Sequence, residues 1–195
     1  MKTTTRDAAN ALNNLSYQVL GVVARVPRSG YDIVKQLENF RPAKTSQVYP
    51  TLAKLEAAGF VSAEDIAQTG RPNKKVYSVT EAGRQVLTDW IGTEPEVPYH
   101  RDDFLTMVYS GWLKSPEEMC AVIKARLAWM DRGIAQVQSE LAEMVALYSV
   151  EMRDPSHWRF YRNSLQTRRL MMFQTERVWC LSLLHQLSSG TVDAS

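Results

Sequence analysis

The stretch Lys44–Val61, KTSQVYPTLAKLEAAGFV, constrains this chain most, because its pattern says both how it is held and what it can touch. Val48, Leu52 and Leu55 recur at the i, i+4, i+7 spacing of one helical face, while Ser46, Gln47, Thr51 and Lys54 fall elsewhere on the surface. One face is therefore core and the rest is open to a partner. Proline has no N–H to donate and is comfortable in a first helical turn, so Pro50 predicts a helix starting near Ser46 or Gln47. Ala57–Ala58–Gly59 stops it and hands over to an apolar, strand-like Phe60–Val61. Lys44, Ser46, Gln47, Tyr49 and Thr51 place hydroxyls, an amide and a cation near the positive end of the helix dipole, as a groove-entering helix requires.

The flanks give this helix a setting. Residues 1–12 are poor in apolar side chains at first and are expected to fray. Leu15, Val19, Val22, Val23 and Val26 then form a stripe ending at Pro27, the first helix. Ser29–Gly30–Tyr31–Asp32 is a capping-box variant ahead of a second helix carrying Ile33, Val34, Leu37 and Phe40. Two short helices and a brief Pro-containing turn before the third suggest a helix-turn-helix. Phe60–Glu64 and Lys75–Val79 then read as strands flanking a segment with Gly70, Pro72 and Asn73, which makes a two-stranded wing with a basic tip. Thr80 caps a further helix whose buried face is Val86, Leu87, Trp90 and Ile91. This domain spans residues 1–92 and is followed by a polar, proline-containing linker over 93–99.

Beyond the linker the pattern is helical over residues 100–187. A helix over Arg101–Trp112 precedes Ser115–Pro116–Glu117–Glu118, a capping box with proline at the first helical position. The long helix that follows carries Leu127, Met130, Ile134, Val137, Leu141, Met144 and Tyr148 in alternating steps of three and four, a heptad seam that asks for a partner helix. Asp154–Pro155–Ser156 breaks the chain. The last helix has Trp158, Tyr161, Leu165, Met172, Trp179 and Leu183 on one line and Leu170, Phe173, Leu181, Leu184 and Leu187 on another. Apolar on two sides, it should be covered on two sides, one by the long preceding helix and the other by a second subunit through two-fold symmetry. The dimerisation residues are thus expected to be Leu127, Met130, Ile134, Val137, Leu141, Trp158, Leu165, Met172, Trp179 and Leu183. Residues 188–195 read as a disordered polar tail.

Composition narrows the function. At 195 residues the chain can bury roughly 70% of its unfolded surface without a metal or disulfide to hold it. The net charge is +2, but residues 1–92 carry +4 and residues 93–195 carry −2, so the first half is the one suited to phosphate. Cys120 and Cys180 lie far apart among apolar neighbours with no signal peptide ahead of them, which reads as two buried thiols in a reducing cytoplasm. No apolar run reaches the roughly 18 residues of a membrane span. His100, His157 and His185 are isolated, and neither a nucleophile grouping, metal-ligand spacing nor a phosphate-cradling loop occurs, so neither an enzyme, a cofactor nor a metal site is expected.

Three blocks carry a family resemblance: Leu20–Gly21 with Arg28–Ser29–Gly30–Tyr31–Asp32–Ile33; Gln47–Val48–Tyr49–Pro50–Thr51–Leu52–Ala53–Lys54–Leu55–Glu56 with Gly59; and Gly70–Arg71–Pro72–Asn73–Lys74–Lys75–Val76–Tyr77 with Thr80 and Gly83. In this order and spacing they resemble the PadR family of bacterial transcription regulators, over about residues 12–91. The two-helix tail is similar to longer-tailed members. The resemblance implies a mainly α fold with a small β-wing: a winged helix-turn-helix DNA-binding domain followed by an antiparallel helical dimerisation domain. It also implies a dimeric repressor, with the third helix in the major groove and the wing on the adjacent backbone.

On this reading Lys44, Ser46, Gln47, Tyr49, Thr51 and Lys54 form the recognition surface, with Gln47 and Ser46 at base edges, Lys44 on phosphate and Tyr49 bracing the helix or reaching the backbone. Arg71, Asn73, Lys74 and Lys75 belong to the wing, where three cations with no acid between Ile66 and Thr80 favour phosphate, and Lys35 and Arg41 flank it. Trp112, Tyr161, Arg168 and Phe173 are candidates for a small aromatic or apolar effector pocket. The expected function is a homodimeric repressor acting on double-stranded DNA at a palindromic operator of a local operon and modulated by a small molecule. The alternatives are a protein-interaction module that has lost DNA contact, or an activator without an effector.

Overall fold

The computed structural model describes residues 9, 11–37, 43–67, 74–95 and 102–189, in two compact units, Met1–Val97 and Pro98–Ser195. In the first, α1 (Asn14–Val23) is capped by Asn13, whose Oδ1 accepts from the Ser16 N–H at 3.0 Å. It ends three residues short of the stripe's last valine, and Val26 is exposed. The strand β1 (Arg28–Ser29) leads directly into α2 (Gly30–Leu37). The capping box is present: the Asp32 N–H donates to Ser29 Oγ at 3.2 Å, and the Ser29 hydroxyl donates to Asp32 Oδ2 at 2.7 Å.

Helix α3 (Thr45–Ala57) begins earlier than Pro50 suggested, so the proline is the sixth residue rather than part of the first turn. Its missing N–H deprives only the carbonyl of exposed Ser46, which water can reach, so the helix tolerates it there. Gly59, with φ 76°, then turns the chain, a conformation that a side chain at this position would strain.

The sheet has three strands, not the two expected. β2 (Val61–Ile66) and β3 (Lys74–Val79) pair antiparallel from Val61↔Val79 to Ile66↔Lys74, and β1 joins β3 on its other side through Arg28↔Tyr77 and Ser29↔Val76. Two residues are too short to show a period in sequence, so β1 was not legible. Helix α4 (Glu81–Ile91) is capped by Thr80, whose Oγ1 accepts from the Gly83 N–H at 3.1 Å and donates to the Gly59 carbonyl at 2.7 Å. Gly83 packs so tightly against the Phe60 carbonyl that a Cβ there would collide with backbone. Val19, Leu20, Ile33, Leu37, Val48, Leu52, Leu55 and Phe60 form the sealed core beneath these elements. The buried face of α4 is narrower than expected: Val86 and Leu87 pack on the core, while Ile91 is exposed and Trp90 lies half-open, stacked on Tyr17 at 4.4 Å.

In the second unit α5 (Asp103–Tyr109) is capped by Asp102, and the chain tightens into a 3-10 turn over Gly111–Leu113 in place of one continuous helix to Trp112. Helix α6 (Pro116–Tyr148) starts with the expected capping box, Glu118 N–H to Ser115 Oγ at 3.2 Å and Ser115 N–H to Glu118 Oε2 at 3.1 Å. Helix α7 (Trp158–Ser189) returns antiparallel, because Arg159 lies over Tyr148 near the turn while Arg126, toward the start of α6, meets Glu176 far along α7. Ser188 and Ser189 are helical rather than part of a tail, and residues 190–195 lie outside the described residues.

The heptad seam packs against α7 of the same chain, the cover expected for one side of that last helix. Leu127, Met130 and Val137 are buried within this hairpin, and Ile134 and Leu141 are half-buried. A long helix with one apolar seam is satisfied by the helix that folds back on it. Of the remaining five expected dimerisation residues, Trp158 and Leu183 are half-buried and Leu165, Met172 and Trp179 are exposed on α7. Cys180 is buried, where burial pushes its thiol pKa up, and Cys120 is only half-buried.

Candidate nucleic-acid interface

The surface of α3 opposite its core stripe presents Lys44, Ser46, Gln47 and Lys54, all exposed. Lysine at the cap position has no acceptor to offer the first turn, and Gln47 supplies half of the missing exchange: its Oε1 accepts from the Lys44 N–H at 3.2 Å. That contact leaves the Nε2 hydrogens of Gln47 for an outside acceptor, such as the N7 and O6 edge of a guanine or the O4 of a thymine. The unpaired N–H groups of the first turn add positive potential at the same end.

Tyr49 is half-exposed and rests on α2, its ring so close to Gly30 that a Cβ there would lie 2.7 Å from Cε1. The aromatic ring therefore props the amino-terminal half of α3 against the start of α2. Thr51 requires a correction. It is buried at 8% exposure and its hydroxyl donates to the Gln47 carbonyl at 2.8 Å, so it belongs to the core side and cannot reach DNA. Its position lies three residues after Val48, close enough in angle to share the core stripe.

The two described wing lysines are not free. Lys74 Nζ lies 3.1 Å from Asp32 Oδ2 on α2, and Lys75 Nζ lies 2.9 Å from Glu56 Oε2 on α3. The Glu56 hydrogen bond, with the nearby charges, raises the Lys75 pKa above its ordinary value. Both acids lie outside the acid-free interval between Ile66 and Thr80, on helices α2 and α3, so the local sequence of the wing does not reveal them. Lys35 is exposed on α2. Arg41, Arg71 and Asn73 lie outside the described residues.

The second unit holds a broad groove of about 930 Å³ along α7, walled by Leu105, Met171, Met172 and Trp179 and dotted with Asn163, Thr167 and Arg168. Arg168 carries neither ion pair nor hydrogen bond on its side chain among the described residues. Glu176, at one end, is bound to Arg126, whose Nη2 lies 2.5 Å from Glu176 Oε1 and 2.6 Å from Asp102 Oδ2. Burial alone would lower the Arg126 pKa, but Glu176 and Asp102 outweigh it and hold the guanidinium charged.

The four expected effector residues are not brought together. Arg168 lines this groove; Trp112 borders a separate cavity of about 260 Å³ with Met119 and Ile123; Phe173 packs against Gly133 and Trp129; Tyr161 stands exposed beside Phe160. Asn163 and Thr167 are not among the expected residues, although they are one helical turn apart and mark the groove's face. Among the described residues there is no group of three acids, histidines or cysteines placed to hold a metal, and no helix long and apolar enough to cross a membrane.

A three-helix core with an antiparallel wing and an exposed polar helix start defines a winged helix-turn-helix DNA-binding protein, here joined to a long helical hairpin. The sequence profile of the Transcriptional regulator PadR-like family matches residues 19–89. The Negative transcriptional regulator PadR of Bacillus subtilis (strain 168) is 31% identical over 137 residues, 68% of this chain and 75% of that protein. The crystal structure of Bacillus subtilis PadR in complex with operator DNA superposes with TM-score 0.79 at 27% identity, covering 90% of this chain and 98% of that one. The structure of the same protein in complex with p-coumaric acid gives TM-score 0.71 at 27% identity, covering 89% and 98%. The chain belongs to the PadR-like family of transcriptional regulators: it is a DNA-binding regulator and not an enzyme.

Proposed function

We propose that the chain is a homodimeric repressor of a local operon, that residues 1–92 bind a palindromic operator, and that residues 100–187 carry the dimer and effector functions. The observation that carries the DNA reading is the exposed polar start of α3, with Lys44, Ser46, Gln47 and Lys54 facing outward while Val48, Leu52 and Leu55 are sealed beneath. Gln47 and Ser46 read base edges; Lys44, Lys54, Lys35, Lys74 and Lys75 meet phosphates; Tyr49 braces the helix. Repression draws support from a relative named as a negative regulator.

The dimer reading rests on α7, whose outward line of Tyr161, Leu165, Met172 and Trp179 stays exposed after the hairpin has formed. An exposed line of large apolar side chains at helical spacing suits an interaction surface. The effector reading rests on the groove of about 930 Å³, where Arg168, unpaired among the described residues and beside Met171, Met172 and Trp179, suits a small aromatic acid, and a relative has been crystallised with p-coumaric acid.

A gel shift on the DNA upstream of the chain's own gene tests this, run with and without p-coumaric acid and paired with sedimentation at micromolar concentration. Binding with a two-fold symmetric footprint, a dimeric sedimentation coefficient and release by the acid are expected. A monomer that binds asymmetrically overturns the dimer, and full binding at saturating acid overturns that effector class.

A further inference from the structure

The strand leading out of the wing is tied to both helices of the helix-turn-helix by ion pairs, Lys74 to Asp32 in the first turn of α2 and Lys75 to Glu56 in the last turn of α3. We propose that Asp32 and Glu56 are intramolecular stand-ins for phosphate: they occupy the wing lysines in the DNA-free protein, and DNA must displace them to bind. This rests on the reading above that Lys74 and Lys75 meet the DNA backbone.

The chemistry is an exchange of one oxyanion for another at the same ammonium groups. Both pairs are partly solvent-exposed, with side-chain exposures of 41% and 37% for Lys74 and Asp32 and 44% and 37% for Lys75 and Glu56. Pairs in such a setting are weak enough to break and strong enough to count. Asp32 is also held by the Ser29 hydroxyl at 2.7 Å, and Lys75 is further steadied by the Tyr77 ring at 5.5 Å, so the pairs are placed by their surroundings rather than by chance encounter of two long side chains. When a lysine leaves its carboxylate for a phosphate, DNA releases a counterion but the abandoned carboxylate gathers one. The net release, and with it the salt dependence, is smaller than the count of lysines implies. The carboxylates then remain near the phosphates and oppose them.

The probe is a short mixed-sequence duplex, on which the electrostatic contribution dominates, titrated between about 50 and 200 mM salt. Glu56→Gln and Asp32→Asn are each expected to raise affinity by about two- to fivefold, the range that exposed ion pairs span. Each should steepen the salt slope by up to about one. Glu64→Gln, on β2 and without an ion pair among the described residues, removes the same charge and should leave the slope unchanged. Lys75→Gln completes a cycle: it should cost more affinity in the Glu56→Gln background than in the parent. If Lys75→Gln and Lys74→Gln are silent in both backgrounds, the wing does not meet phosphate and the underlying reading fails. If the lysine changes weaken binding equally in both backgrounds, or if Glu56→Gln weakens binding, the lysines do contact DNA and the competition is wrong. Thermal melts of each variant exclude loss of fold as the cause.

Discussion

Tyr49 rests its ring on Gly30, leaving no space for a side chain between α3 and the start of α2: a Cβ at position 30 would stand 2.7 Å from Cε1 and 3.0 Å from the hydroxyl oxygen. Because Tyr49 is half-exposed, it can swing away, and alanine is the better helix former by about 1 kcal/mol. Gly30→Ala is therefore expected to change stability by less than about 1 kcal/mol while weakening operator binding, since the ring no longer props the recognition helix. Melting and gel-shift titration of the same preparation check this. Unchanged binding with lowered stability would mean that the contact serves only the fold.

Thr51 and Gln47 share one turn of α3 and are expected to separate in function. Thr51 is buried with its hydroxyl returned to the Gln47 carbonyl, so Thr51→Val should leave DNA affinity within about twofold. Gln47→Ala removes an exposed amide and should cost about tenfold or more on the operator, against little on mixed-sequence DNA. Equal losses for the two substitutions would contradict the rotation of α3 described above.

Much of this was legible in sequence because the deciding signals are local. The boxes at Ser29 and Ser115, the Thr80 cap and the heptad seam each lie within a few residues or a fixed period, and the structure has each of them. What was not legible depends on distant partners. The wing's carboxylates come from positions 32 and 56, on helices remote in sequence from the lysines they meet. Thr51 was misplaced for a smaller reason. Its neighbours Val48 and Leu55 already marked the stripe, and a polar residue on its edge looks open in a pattern yet is covered once helices pack.

Asp32 sets an acid limit on the first unit. The Ser29 hydroxyl first, and Lys74 with it, holds its carboxyl below the ordinary 3.8 against a smaller opposing effect of burial. A carboxyl lowered in the folded state contributes stability that is present above its unfolded value and is lost as pH falls through the folded one. The stability gap between the parent and Asp32→Asn is therefore expected to be constant near neutrality and to close below about pH 4. Melting curves on both proteins from neutral to acid pH measure it; a gap that persists undiminished at the acid end would assign the effect to packing instead of charge.

Arg126 ties three parts of the second unit together. Its guanidinium bridges Asp102, which caps α5, and Glu176 on α7, and it lies over the rings of Phe104 at 4.8 Å and Trp129 at 4.6 Å. Removing it leaves two carboxylates facing each other in a partly buried place, so Arg126→Ala should cost about 1–3 kcal/mol, discounted from the fully buried case because the partners are about one-third exposed. Arg126→Met keeps the stem between the rings and should cost less than alanine, and adding Glu176→Gln should recover part of the loss by removing one of the stranded charges. Denaturant unfolding of the single and double variants reads these differences directly. If Glu176→Gln alone is as damaging as Arg126→Ala, and the double variant is worse than either, the carboxylate is held by something other than this arginine. Because Glu176 also walls the groove along α7, the same variants should alter binding of a small aromatic acid there, whereas a purely structural arginine would change stability and leave that binding intact.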